Sequence, residues 1–399
     1  MDKRMTAFGK IEFHVQEERL AITPKKGDLF IGLPKETCHE EKRVCLTPDA
    51  VAAMTLQGHR IIIESGAGLA SNFTDKEYSD SGAKISYSTK EVFECNIILK
   101  VSPPSIEEIN LIKPQAFLVS SLQLKTQAKD YFKALANKRI TAIAFDFIKD
   151  EQDSFPIVKS LSEIAGTASI LIASELMNAE NGGSGRLLGN ISGVPPCEVV
   201  ILGAGTVALF AAKSAKALGA SVKVFDNSIT KLRQLQQDLN IPVYTSTIHH
   251  KALEKALMRA DVVIGAIKGK TRAPIVVSED LICVMKEGAV IIDVSIDRGG
   301  CFETSELTTH SNPTFKKHGV IHYGVPNIPS RYAKTATVSI SNIITPYLLA
   351  VGDEGGFETA VKYDTVIRSG MYMYKGILTK KAVGEWFGIP YTDINLLII

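Results

Sequence analysis

Strands of near-continuous Ile, Val and Leu, alternating with helix-like stretches, predict an α/β protein. The expected form is two doubly wound Rossmann-like domains with a cleft between them. Three observations carry this. Residues 198–226, EVVILGAGTVALFAAKSAKALGASVKVFD, read as strand, glycine-rich turn, helix and strand. A parallel-sheet pattern runs both before and after that stretch. The chain has 399 residues, enough for two cores at roughly 100–200 residues each.

The first series starts at Leu29 with FIGLPKE and continues through RIIIESG, NIILKVSPP, QAFLVSSL and ITAIAFDFI. A helix over Thr47–Gln57 opens on TPDA, a capping Thr47 followed by Pro and an acid. This domain is expected to end near Pro156. The second series begins at EVVILG, followed by a helix over Thr206–Leu218, SVKVFD, and a helix over Ile229–Leu239. Then come PVYTST, a helix over Lys251–Arg259, DVVIGAI, a helix around Glu279–Met285, GAVIIDVS and VIHYGV. Six strands in that order suit a dinucleotide domain. Helices over Val338–Val351 and Glu358–Ser369 are too few to stand alone and are expected to pack back on the first domain. The substrate domain would thus comprise 1–155 and 334–399, with 156–333 inserted as the NAD-binding domain. A hinge is expected at the two crossings, near 156 and 333. Met371-Tyr372-Met373-Tyr374 reads as core packing.

Composition narrows the class. Apolar residues make up 45% and charged residues 22%, and the net charge is +2 with no basic block. Nucleic-acid binding, which needs concentrated positive charge, is therefore not expected. The opening MDKRMTAFGKIEFHV has no apolar run after its charges, and the longest uncharged apolar stretch, Val199–Ala212, is short for a bilayer span of about 20 residues. The expectation is a cytoplasmic protein without membrane insertion. Six cysteines without C-x-x-C pairs read as reduced thiols, with no metal site.

Gly203-Ala204-Gly205-Thr206-Val207-Ala208 fits G-x-G-x-x-G/A. Gly203 allows the tight turn. Gly205 lets a pyrophosphate approach the N-terminus of the next helix, where the N–H groups of Thr206 and Val207 favour anions. Asp226 ends the next strand 226 − 205 = 21 residues later, near the ~20 expected of the carboxylate that accepts from ribose hydroxyls and repels a 2′-phosphate. NAD is thus preferred over NADP, although Lys223 and Lys231 lie close enough to leave NADP tolerance open. The alternative is a tight turn followed by a surface aspartate.

Residues 31–51, IGLPKETCHEEKRVCLTPDAV, resemble the opening of the family that joins alanine dehydrogenases and transhydrogenase α-subunits. The likeness continues through IILKVSPP, SLSEIAG, ADVVIGAI, GAVIIDVSIDRGGCFETS and VPNIPSR. IDRGGCFE is similar to the dehydrogenase's IDQGGCFE rather than the transhydrogenase's VEAGGNCP. The resemblance implies NAD-dependent oxidative deamination of L-alanine, or the reverse reductive amination. It also implies a homo-oligomer, a hexamer or dimer. By the same resemblance, Arg43 clamps the substrate carboxylate and Lys100 polarises the reacting carbon. Asp297 lies beside the nicotinamide, Asn327 is a substrate-side amide, and Ser162, Ile267 and Lys268 line the cofactor. Read alone, Arg43 and Lys100 are equally solvated charges, and Asp297 a cap. Lys100 and Asp297 nevertheless end predicted parallel strands, where α/β sheets bind ligands.

One position departs from the pattern. Where the family's dehydrogenases carry Tyr-Leu-His, this chain has Ser121-Leu122-Gln123. Glutamine orients water but does not titrate. Asp297 or Lys100 could relay the proton instead, or His322 could fill the gap. Transhydrogenase nucleotide domains also carry glutamine here, so a nucleotide-binding module without an amino-acid substrate is the competing reading. A saccharopine-type dehydrogenase shares the architecture, and nothing in these motifs favours it.

Overall fold

The computed structural model describes residues 27–269 and 272–398. The N-terminal stretch MDKRMTAFGKIEFHV, and with it the start of the expected first domain, lies outside the described residues.

The strands are β1 (Phe30–Leu33), β2 (Arg60–Glu64), β3 (Lys84–Ser86), β4 (Ile97–Leu99), β5 (Phe117–Ser120), β6 (Thr141–Ala144), β7 (Glu198–Leu202) and β8 (Ser221–Phe225). They continue with β9 (Tyr244–Ser246), β10 (Val262–Gly265), β11 (Val290–Asp293), β12 (Thr314–Lys317), β13 (Val320–Tyr323), β14 (Met371–Tyr374) and β15 (Ile377–Leu378). One sheet has the order β15-β14-β6-β5-β4-β1-β2-β3 and the other β12-β13-β11-β10-β7-β8-β9. In each, six parallel strands run outward in both directions from a central pair, the doubly wound arrangement. The central pair is β1/β4 in the first sheet and β7/β10 in the second. Chain order reverses there, the switch point at which doubly wound sheets bind ligands.

The strands form because their residues are apolar on both faces. Ile31, Leu33, Ile61, Ile63, Ile97 and Leu99 are all buried in the first sheet, as are Val199, Ile201, Val262 and Ile264 in the second. Helices cover both faces, so no alternation with polar residues is needed. Thr47 caps the helix Pro48–Leu56 by accepting from Ala50 N. Its own N–H donates to Ser341 Oγ, tying that helix to the C-terminal region.

Four strands go beyond the sequence reading, among them the two-residue β15 at the edge of the first sheet. β3 is three residues long at the sheet edge. β12 runs antiparallel to β13, giving the second sheet seven strands rather than six. The MYMY run packs in the core as expected, but as strand β14, antiparallel to β6. The expected helix Glu358–Ser369 is two, Phe357–Tyr363 and Thr365–Gly370. Asp364 breaks it by turning its carboxylate back onto Val366 N and Ile367 N.

The chain passes between the sheets at two places, and a 21-residue helix starts at each, Pro156–Leu176 and Ala333–Asp353. The two pack together, with the Ser160 and Ser339 hydroxyls hydrogen-bonded. Gly166 lets the first of them lie on the helix Thr206–Ala217, since a Cβ there would sit 2.4 Å from Val207 O. Gly166→Ala should therefore push the dinucleotide turn away from its supporting helix. A loss of about 1–3 kcal/mol, typical of overpacking, is expected in urea denaturation.

Candidate active site

Each chemically interesting side chain follows the C-terminal end of a parallel strand. Arg43 lies on the segment after β1, Lys100 directly after β4, and Gln123 just after β5. β1 and β4 are the central pair of the first sheet, so Arg43 and Lys100 flank its switch point. Both are almost fully buried, at 5% and 1% exposure, which means that the cleft is closed over them.

Buried cations need partners. Glu41 chelates Arg43, its Oε1 accepting from Nε at 2.7 Å and Oε2 from Nη2 at 2.5 Å. Two of the five guanidinium donors are engaged in this way, and the rest can serve a second carboxylate. Lys100 Nζ donates to Glu108 Oε1 at 2.6 Å and lies 3.7 Å from Glu36 Oε2. Glu108 closes the capping box of the helix Ile106–Leu111 with its other oxygen, accepting from Ser105 N. One carboxylate thus both starts a helix and fixes Lys100.

Glu36, Glu41 and Glu108 face Arg43 and Lys100, so the cluster carries one carboxylate in excess. Its relief is visible in Glu36. Burial raises that pKa to about 7, Glu41 adds to the rise, and Lys100 and the N–H groups of Val101 and Ser102 oppose it. Burial acts on Glu41 in the same direction, but the Arg43 charge and hydrogen bonds hold it below the usual carboxylate range.

The second domain reaches this cluster through Asn327, whose Nδ2 donates to Glu41 Oε2 at 3.0 Å. Asn327 adopts a left-handed backbone, φ 55 and ψ 45, and its N–H donates to Asp297 Oδ1 at 3.3 Å. Asp297, in the 3-10 turn Val294–Arg298 that follows β11, opens onto solvent while protein crowds it from most sides. That crowding pushes its carboxyl above the ordinary aspartate range against the Asn327 N–H and the nearby Arg298 and Arg43. Glu40 adds a second tie, accepting from His310 N and Ser311 N.

The dinucleotide turn sits at the central pair of the second sheet. Gly203 has φ 108, and a Cβ there would lie 2.4 Å from Ala266 O, so only glycine lets β7 turn against the end of β10. A Cβ on Gly205 would meet nothing within 4 Å. No side chain caps the helix Thr206–Ala217, which leaves its first N–H groups to a ligand. Asp226 is fixed beside this opening by Ala204 N at 2.9 Å and Ser228 N at 2.7 Å. Ile267 N donates to Ser295 Oγ, holding the facing loop. An open cradle, bare helix N–H groups and a fixed carboxylate are what NAD requires. Ser162 donates to Val158 O within its own helix.

His322 is not part of the site. It is buried, stacked on Phe315, with Nε2 bonded to Thr304 Oγ1 and Nδ1 to Val320 O. A proton role for it is corrected accordingly, because its strand turns it into the edge of the second sheet. Glu36, Glu41, Glu108 and Asp146 were not singled out from sequence. The S-x-x-E spacing of Ser105 and Glu108 was a readable capping signal, whereas their service to Lys100 was not.

A doubly wound domain with an open glycine turn and an uncapped helix N-terminus, beside a second sheet that carries the buried Arg43 and Lys100, fits the class of two-domain nicotinamide-nucleotide oxidoreductases. Residues 32–165 and 169–381 match the N-terminal and C-terminal domains of the alanine dehydrogenase/PNT family. The chain is 38% identical over 367 residues to an alanine dehydrogenase of Staphylococcus haemolyticus, covering 92% of this chain and 98% of that protein. It is 39% identical to one from Methanococcus maripaludis, with coverages of 91% and 98%. A solved L-alanine dehydrogenase superposes with a TM-score of 0.85 at 34% identity, over 90% of this chain and 99% of the other. A transhydrogenase from Sinorhizobium meliloti, at 23% identity, a TM-score of 0.74 and coverages of 88% and 99%, shares the fold. The chain belongs to the alanine dehydrogenase/PNT family.

The Glu36 proton sets a pH dependence. Below pH about 7 the carboxyl stays neutral and the cluster is balanced, while above it one negative charge is uncompensated. Affinity for a small 2-oxo acid should therefore weaken as pH rises through that value. The apparent KM of the wild type and of Glu36→Gln, measured against pH, should show a rise in the first and little in the second.

Proposed function

We propose that this protein is an NAD-dependent dehydrogenase that converts L-alanine, NAD+ and water to pyruvate, ammonium, NADH and a proton, and runs the reverse amination. The observation that carries this is the pairing of Arg43 and Lys100 at one switch point with the glycine turn at the other. When bound, NAD supplies the acceptor for the α-hydrogen and its electron pair. Arg43 takes the substrate carboxylate on donors that Glu41 leaves available, a planar match suited to guanidinium. Lys100, held by Glu108, lies next to the reacting carbon and polarises it. Asn327 and Asp297 close over the substrate from the second domain, with Asp297 beside the nicotinamide. Gly203, Gly205, Thr206, Val207 and Asp226 hold the dinucleotide, with Ser162, Ile267 and Lys268 along its path. Gln123 stands in place of the expected histidine and orients water.

Gln123 also supports a second reading, a nucleotide-holding module of the transhydrogenase type with no amino-acid substrate. The buried Arg43–Glu41 and Lys100–Glu108 pairs weigh against it, because a module that only holds a dinucleotide has no use for cations at the other switch point. An apolar patch on the two crossing helices supports a homo-oligomer. Leu171 and Val338 leave apolar surface exposed beside a cavity of about 320 Å3 lined by Ile164, Phe210 and Tyr332. A second copy would cover it.

The deciding assay is NADH absorbance with the purified protein. Oxidation requiring both pyruvate and ammonium supports the dehydrogenase, and NADH binding without any such turnover overturns it. Arg43→Lys should raise the KM for pyruvate at least tenfold, since hydrogen bonds to charged groups contribute about 1.5–3 kcal/mol and lysine lacks the fork.

A further inference from the structure

The reaction needs a group that takes and returns a proton, and the amide of Gln123 cannot. The sheet places one next to it. The register pairs Leu99 with Val119 and Ser120 with Ala144, so the ends of β4, β5 and β6 lie side by side. They present Lys100, the Ser121-Leu122-Gln123 segment and Asp146 in a row. Asp146 Oδ1 accepts from Leu122 N at 3.1 Å, next to Gln123 in the chain. Gln123 itself has a left-handed backbone, φ 46 and ψ 56, a conformation unusual for a residue with a side chain. Asp146 sits two residues beyond the end of β6 and, as a residue, is partly exposed.

Resting on the dehydrogenase reading above, we propose that Asp146 is the proton-exchanging group of this site. It would act through water oriented by Gln123, in the role a histidine at 123 would have filled. Water adds to the imine carbon as the C=N π pair moves to nitrogen, and the proton it sheds passes to the Asp146 carboxylate. That proton then returns to nitrogen, the O–H pair forms the C=O bond as the C–N bond breaks with its pair on nitrogen, ammonia leaves, and the hydroxyl proton passes to the Asp146 carboxylate. Nothing is oxidised or reduced in this step.

The surroundings fit that task. Burial raises the Asp146 pKa to about 6, with the N–H groups of Leu122, Gln123 and its own residue opposing the rise. The titratable groups facing it are Tyr131 and Tyr372, hydrogen-bonded to each other at 3.0 Å and both pushed upward by burial, so neither is charged at neutral pH. No cation among the described residues pulls Asp146 down. A base with a pKa just below the working pH is ionised and still basic enough to matter.

The test is the pH profile of kcat/KM for alanine oxidation in the wild type, Asp146→Asn and Asp146→Glu, with NADH binding and thermal unfolding as fold controls. The wild type should fall off toward acid with an inflection near about 6. Asp146→Asn should lose the inflection and drop roughly 10²–10⁴-fold at neutral pH, the usual worth of general base catalysis. Asp146→Glu should keep an inflection at a shifted position and recover most of the rate. A folded Asp146→Asn enzyme that retains the wild-type inflection overturns the proposal while the dehydrogenase reading stands. If that variant does not fold, Asp146→Glu decides, and an inflection left where the wild type has it is the overturning result. A wild type with no alanine-dependent turnover at any pH removes the dehydrogenase reading and this one together.

Discussion

Burying Arg43 and Lys100 requires partners of opposite charge, and much of the first domain's local structure follows from that requirement. Removing one partner of a buried ion pair typically costs about 3–5 kcal/mol, so Glu41 and Glu108 are as tightly constrained as the cations. Glu108 meets the constraint by starting a helix at the same time. Glu36 is the third carboxylate, and it holds Val101 N and Ser102 N just beyond Lys100. The cluster is therefore cross-linked within the domain by ion pairs and by carboxylate-to-backbone hydrogen bonds.

The second domain is attached to this cluster rather than merely adjacent to it. Asn327 reaches Glu41, and Glu40 accepts from the His310–Ser311 backbone. Lys42 N donates to Ser330 Oγ, and Ser330 Oγ in turn donates to Glu40 O. All of these are hydrogen bonds between loops, which can part and reform. The two long helices at the chain crossings are packed elements and cannot do so as cheaply. Opening of the cleft would thus fall on the loops, with the helices keeping the two switch points in register.

The Gln123 segment follows β5, which lies between β4 and β6 in the first sheet. Neighbouring parallel strands end about 5 Å apart, so a group one strand away can serve the same water. The left-handed residue at 123 and the Asp146 carboxyl, which holds the preceding N–H, sit at the ends of adjacent strands.

Much of this organisation was readable from local sequence. The fingerprint, its spacing to Asp226, the Thr47 cap and the helix Ile229–Leu239 depend on short-range rules of turn geometry, capping and periodicity, which operate within a few residues. Likewise the Ser105–Glu108 capping box is local. The helix break at Asp364 was missed although its signal, an Asp whose carboxylate can turn back onto N–H groups ahead, lies in the sequence. The edge strands β3 and β12 were missed because pairing with a neighbour, not intrinsic pattern, makes them strands. His322 could be removed from the site only by seeing its partners. The pairing of Lys100 with Glu108, of Arg43 with a carboxylate that Asn327 also touches, and of Gln123 with Asp146 spans many residues or two domains. Residue type and strand order brought these groups to the ends of parallel strands. Register and domain packing, which no short window encodes, decided which of them touch.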